Sequence, residues 1–432
     1  MKKETFKTDF FTGNRKKLAN ALEKNSVAII NSNDELTRNG DQDFPFRQSS
    51  DLFYLTGLEQ EKCILTLCPD HPDENLREIV FTIKPDEQLE TWTGHKYTKE
   101  EVKKISGVKT VKWLEDFDMT FRDLAISSDN IYVNLNEYAK YQTEVDYVSN
   151  RYAMKIREMY PAHNLKRLAP LLTQQRLVKE PEELRVLQIA CDITNKAFGR
   201  VLSTVKPGMM EYEVDAEITY EFLKNGARGH AYQPIIASGK NALVLHYVEN
   251  SNECRDGDLL LLDIGAEYNN YAADCSRTIP VNGKFTERQK QCYEAVLRVQ
   301  KEAIKLYVPG NTIDSVNKTV WKMMEKEMIK LGLFTEEDVK KQDPEQPLYT
   351  KYLMHGVAHF IGLDVHDVGG KFVKFEKGMV LTCEPGIYIK EEGIGIRIEN
   401  DIVVDEKPVD LMADIPREVD EIEELMTRKS VM

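Results

Sequence analysis

Histidine and carboxylate side chains gather in a few short stretches of this chain. Residues 353–370, LMHGVAHFIGLDVHDVGG, carry three of its eight histidines, His355, His359 and His366, in an apolar, glycine-broken setting. Imidazole beside carboxylate is common raw material for metal binding and for proton transfer. A lone histidine needs no special role, so the stretch acquires meaning only with carboxylates from elsewhere. Asp263 directly follows the aliphatic run 259–262, a buried-strand pattern, and Asp274 follows in YAADCSRT. A hairpin between them sets the two carboxylates side by side on neighbouring strands. Bare carboxylates facing each other in a core repel, and a divalent cation removes that cost. Further on, Glu384 follows the apolar run VLTC. Glu399 sits in the alternating run 394–404, which reads as one strand with Arg397 and Glu399 on one face and Ile396 and Ile398 on the other.

Asp263, Asp274, His359, Glu384 and Glu399 are therefore five candidate metal ligands. Four carboxylates and one imidazole exceed what a three-ligand catalytic zinc needs. They suit two hard-to-borderline divalent cations such as Mn²⁺, sharing carboxylates between them, although affinity order alone does not select the metal.

The elements around these residues repeat. A helix from about Lys179 ends at the turn 205–208, VKPG, and a second helix runs from Glu211 to Gly226 before strands follow. A helix from near Thr286 ends at 308–310, VPG, and a second runs from Ile313 to Gly332, again before strands. The order helix, PG turn, helix, strands thus occurs twice. It predicts two α/β halves with a cleft between them. The chain before this changes character near residue 165. It reads as a mixed α/β region with a helix over 14–24 and strand-like runs at 27–30, 53–56, 63–68, 79–83 and 131–134. Trp92 reads as a loop residue with a packing role. The boundary is placed near residue 170, giving domains 1–170 and 171–432.

Composition bounds the rest. A chain of 432 residues, 41% of them hydrophobic, has material for two cores. A net charge of −14 argues against nucleic acid as partner. No aliphatic run approaches the ~20 residues of a membrane helix, and the N-terminus lacks the apolar stretch of a signal peptide. Seven scattered cysteines without a CxxC pair point to free thiols and a cytoplasmic location.

Taken together, these stretches resemble the pita-bread metallopeptidases, and most closely the aminopeptidase P (Xaa-Pro aminopeptidase) branch. The resemblance rests on 39–57 (NGDQDFPFRQSSDLFYLTG), His246 in LVLHY, the two aspartates, HGVAHFIGLDVHDVG, Glu384 in LTCEPGIYI and Glu399 in GIRIEND. It implies a creatinase/aminopeptidase P-like α/β N-terminal domain with a mixed sheet, and an α+β pita-bread catalytic domain with a pseudo-two-fold repeat. It implies that Asp263 binds one metal, Asp274 and Glu399 bridge both, and His359 and Glu384 bind the other. His246 and His366 would face the substrate, and His355 and Arg397 would hold the ligands in place. The implied reaction is hydrolysis of the first peptide bond of peptides with proline at the second position. A water shared by the two cations attacks, with Glu384 as general base. Mn²⁺ is the expected cofactor, with Zn²⁺ or Co²⁺ as alternatives, and a homo-oligomer (dimer or tetramer) is expected. Segments 389–393 and 369–377 are short for aminopeptidase P. The competing readings are a prolidase restricted to Xaa-Pro dipeptides and a non-catalytic pita-bread binding protein.

Overall fold

The computed structural model describes residues 6–138 and 144–427. Its contacts divide the chain between Arg176 and Leu177; position 170 lies inside helix Ala169–Leu177.

The N-terminal unit is built on a six-stranded mixed sheet. Its order is Thr110–Trp113, Glu78–Thr82, Ile64–Leu67, Ser26–Asn31, Asn130–Val133, Asn164–Arg167. The central strand Ser26–Asn31 is buried throughout. It pairs antiparallel with Ile64–Leu67 and parallel with Asn130–Val133. A strand covered on both faces reads as a continuous apolar run, which is why VAII shows no alternation. One face packs Val27, Ile29, Ile79, Phe81 and Ile131 against Phe117, Phe121 and Leu124 of helix Phe117–Ile126.

Three local readings change here. The first helix is Thr8–Ala21, earlier than 14–24. The run 53–56 is the end of helix Ser50–Thr56, not a strand. Residues 52 to 56 are all buried, so neither helical nor strand periodicity survives in the sequence. Trp92 lies on helix Glu87–Thr93, not in a loop, and is 87% exposed, so it has no packing role within the chain.

The second unit shows the duplication. Helices Pro181–Thr204 and Glu211–Lys224 precede the sheet Ile235–Ser238, Leu259–Ile264, Cys275–Pro280. Helices Glu287–Ile304 and Ile313–Lys330 precede the sheet Val380–Cys383, Asn400–Val403, Val409–Asp410. Three of the four helix starts have a plain local cause. Pro181 opens the first with its ring-fixed backbone. Thr286 and Gln289 exchange capping bonds at the third, and Thr312 and Ser315 at the fourth. Backbone bonds join the halves: Glu399 N–H donates to Ser276 O, and Ala272 N–H to Gly362 O.

Candidate metal centre

Asp263 is the last residue but one of strand Leu259–Ile264, which pairs antiparallel with Cys275–Pro280 so that Asp263 faces Ser276. Asp274 immediately precedes the returning strand. The hairpin expected between the two aspartates forms, with an inner hairpin turning at Asn269 and Asn270, both at positive φ. The run 394–404 is not one strand. It breaks between Ile394–Arg397 and Asn400–Val403, and Glu399 lies at the crossing from one sheet to the other. Arg397 and Glu399 nevertheless meet on one atom. The Ser276 hydroxyl donates to Glu399 Oε2 at 2.7 Å and accepts from Arg397 Nε at 2.7 Å.

The stretch 353–370 forms no regular element. It is laid along strand Val380–Cys383 by bonds from Ile361 N to Val380 O, Thr382 N to His359 O and Glu384 N to Val357 O. His359 N–H also donates to Thr382 Oγ1. This fastening sets the His359 ring beside Glu384, with Nε2 3.8 Å from Oε1. Gly356 and Gly362 do not adopt left-handed backbone. They provide space instead. A Cβ at Gly362 would lie 2.3 Å from Asp367 Oδ2, and one at Gly356 3.2 Å from the Asn317 amide.

Ligand atoms of Asp274, His359 and Glu399 all lie within 4.8 Å of one another. His359 Nε2 is 3.4 Å from Asp274 Oδ2. Asp263 joins through two neighbours: Arg397 donates to its Oδ2 at 2.6 Å, and the Tyr232 hydroxyl lies 2.7 Å from its Oδ1. The same hydroxyl lies 2.6 Å from Asp274 Oδ1. Of the other histidines, His366 is exposed and packs its ring on His359, 4.4 Å between centroids. His355 contacts the Tyr388 hydroxyl at 2.9 Å and sits 3.8 Å from Glu384 Oε2. Tyr388 also accepts from Arg397 Nη1. His246 is exposed on the turn after Gly239–Leu243.

The electrostatics ask for positive charge. Burial, then repulsion from Asp263 and Asp401, pushes the Asp274 carboxyl well above its usual range. Burial, then Asp274 and Glu384, does the same to Glu399. Glu384 is raised by burial despite His359 and Arg397. Burial, then the Arg397 charge, lowers His355 to about 4, so that ring adds no compensating cation near neutral pH. Tyr232 makes the same point geometrically. It has one proton to donate and two carboxylate oxygens within hydrogen-bond reach. Tyr232 can satisfy only one of the two oxygens at a time, and a divalent cation on such oxygen-rich ligands would hold both.

Tyr232 and Ser276 were not singled out by sequence reasoning. Tyr232 lies in an irregular segment, AYQP, and reaches Asp263 across 31 positions. No local pattern announces it.

Carboxylates and one imidazole gathered from both halves of a duplicated α+β frame are the construction of a divalent-metal hydrolase. The chain belongs to metallopeptidase family M24, which its residues 185–406 match, while residues 11–132 match the aminopeptidase P N-terminal domain. It is 36% identical to the Xaa-Pro aminopeptidase of Escherichia coli K12, over 96% of this chain and 97% of that one. Its fold is similar to zinc-substituted E. coli aminopeptidase P in complex with product (TM-score 0.88, 34% identity, 99% of this chain and 100% of that chain). It is equally similar to a glutamate-to-alanine variant of that enzyme in complex with substrate (TM-score 0.89, 33% identity, with the same coverage). The architecture is an aminopeptidase P-type N-terminal domain with a mixed sheet, followed by a pita-bread catalytic domain.

Proposed function

We propose that this metallopeptidase is an Xaa-Pro aminopeptidase that removes the first residue of peptides with proline at the second position. The observation that carries the reading is the convergence of Asp274, His359 and Glu399, contributed by both halves of the repeat, at one buried point. Asp263 and Glu384 complete the ligand set, and the relatives named above bear this activity in their names. Mn²⁺ is the proposed occupant, with Zn²⁺ and Co²⁺ the alternatives. Residues 171–432 are the proposed catalytic domain and 1–170 the accessory one. A cytoplasmic homo-oligomer, dimer or tetramer, is the proposed working form. Among the described residues, no helix is long and apolar enough to cross a membrane.

Asp263, Asp274, His359, Glu384 and Glu399 would hold two divalent cations, which would supply the acidity that lets a water ionise near neutral pH. The residues of the chain do the rest. Glu384, beside the cations it would help to hold, would take a proton from the attacking water and pass it to the departing nitrogen. Arg397 fixes Asp263, and Ser276 fixes Glu399, so that the ligands keep their positions through turnover. His246 and His366, exposed at the rim, face the substrate and stabilise the developing oxyanion. His355 braces Glu384 and Tyr388. Proline at the second position leaves as a secondary amine, and its amide has no N–H for an ordinary peptidase groove to recognise.

The test is hydrolysis of Xaa-Pro-Xaa tripeptides against Xaa-Pro dipeptides by the purified protein in Mn²⁺ buffer. Tripeptide cleavage after the first residue, abolished in Asp263→Asn, is expected. Cleavage of the dipeptide alone makes the protein a prolidase. Full activity in Asp263→Asn contradicts the ligand assignment.

A further inference from the structure

A second buried carboxylate stands in the catalytic unit with no share in the metal centre. Glu211, the first residue of helix Glu211–Lys224, has no exposed surface. Its Oε1 accepts from Ser238 N at 2.7 Å, Ser238 Oγ at 2.7 Å and Asn241 Nδ2 at 2.9 Å. Its Oε2 accepts from Tyr247 Oη at 2.8 Å and Asn252 N at 2.9 Å. Five donors on two oxygens fill the capacity of a carboxylate. The helix N-terminus adds a favourable field for its charge.

All five donors come from one excursion of the chain, residues 238–252. Ser238 ends strand Ile235–Ser238, and Asn241 lies in the turn Gly239–Leu243. Tyr247 and Asn252 lie on the returning limb. Both limbs are tied to the same carboxylate; at the tip 244–246 Val244 is 56% exposed and His246 is exposed, and the returning limb is exposed as well at Val248, Glu249, Ser251 and Asn252. Tyr247, the immediate neighbour of His246, is itself buried. Asn250 adds a second tie, accepting from Ile236 N and donating to Pro234 O.

We propose that Glu211 is the positioning residue for His246: it fixes both limbs of the excursion 238–252 so that the imidazole at its tip is held at one place over the metal centre. This rests on the proposed substrate-facing role of His246. The chemistry requires a carboxylate. In Glu211→Gln, one side of the group becomes an N–H₂ donor. Facing Oε2's partners, it meets the Asn252 amide; facing Oε1's, it meets the Ser238 amide. Tyr247 and Asn241 can reorient, but a backbone N–H cannot, so one bond is lost either way. The frame relaxes while the metal ligands stay in place.

The experiment is a double-mutant cycle on Xaa-Pro-Xaa hydrolysis in the Mn²⁺-loaded full-length protein, with hydrogen exchange read across 238–252. Glu211→Gln is expected to lower kcat/KM about tenfold with unchanged metal content and faster exchange in 238–252. In a His246→Ala background, the same substitution is expected to change kcat/KM less than twofold, because the group it positions is gone. Should Glu211→Gln fold poorly, Tyr247→Phe removes the one bond next to His246 and is expected to act in the same direction more weakly. Equal losses in both backgrounds, or unchanged exchange across 238–252, overturn the positioning role. A fully active His246→Ala enzyme overturns instead the assignment of His246 on which the role rests, and the exchange data tell the two failures apart.

Discussion

Two groups of buried carboxylates lie in the same unit, and they are built on opposite plans. Glu211 is surrounded by five donors and has nothing left to accept. Asp274 and Glu399 are surrounded largely by other carboxylates. Asp274 has Asp263 and Asp401 as its principal charged neighbours, and Glu399 has Asp274 and Glu384. Burial is common to both, so burial does not explain the difference. The neighbours do. A carboxylate given enough N–H and O–H partners holds the chain in place. Carboxylates set against one another hold an unfavourable charge arrangement that only an added cation or proton relieves. The structure thus separates carboxylates that position from carboxylates that bind metal, a distinction invisible in the letters D and E.

The largest effect that tests this contrast belongs to the metal floor. Asp274→Asn is expected to lower kcat on an Xaa-Pro-Xaa substrate by about 1,000-fold or more, the scale of losing a group that stabilises developing charge. Elemental analysis is expected to find fewer than two cations per chain. An active variant with a full metal complement would place Asp274 in the positioning class with Glu211.

A smaller effect lies at a third carboxylate, intermediate between the two plans. Glu183 is buried and accepts from Tyr271 Oη at 2.8 Å. It lies near Lys179, which forms a buried pair with Asp367 at 3.0 Å. Burial still raises its carboxyl to about 7. The folded state therefore keeps a proton that the unfolded chain has released. The stability this contributes is complete below the ordinary carboxylate value, 4.5. It is lost as pH rises through about 7. Thermal unfolding between pH 4.5 and 8 is expected to show a steeper loss of stability in the wild type than in Glu183→Gln, by up to roughly 3 kcal/mol. Parallel curves would show that Glu183 is as well satisfied as Glu211.

Much of this centre is legible in the sequence, and the remainder is hidden for a physical reason. The five candidate ligands stand out because each follows an apolar run or sits in the histidine stretch. The duplication stands out because a PG turn closes each long helix. What escapes is whatever acts at a distance. Tyr232 reaches across 31 positions to Asp263, and Ser276 across 123 to Glu399. Glu211 gathers donors 27 to 41 positions away. Its sequence neighbourhood, MMEYEVD, shows only an acidic helix start. The break at Glu399 escapes for another reason. An alternating run looks the same whether it stays in one sheet or crosses between two, and residues 394–404 are buried throughout, so the alternation here does not report a solvent side. The helix Ser50–Thr56 escapes because it is buried all round.

If cations complete the carboxylate floor, thermal unfolding of chelator-stripped protein will show what is missing. Wild type and Asp274→Asn are compared without metal and then with saturating Mn²⁺. Without metal, Asp274→Asn is expected to be the more stable, because one repelling charge has gone from the core. With Mn²⁺ the order is expected to reverse, because only the wild type gains the full stabilisation of two bound cations. A stripped Asp274→Asn protein less stable than stripped wild type, with no reversal on adding Mn²⁺, would contradict the account.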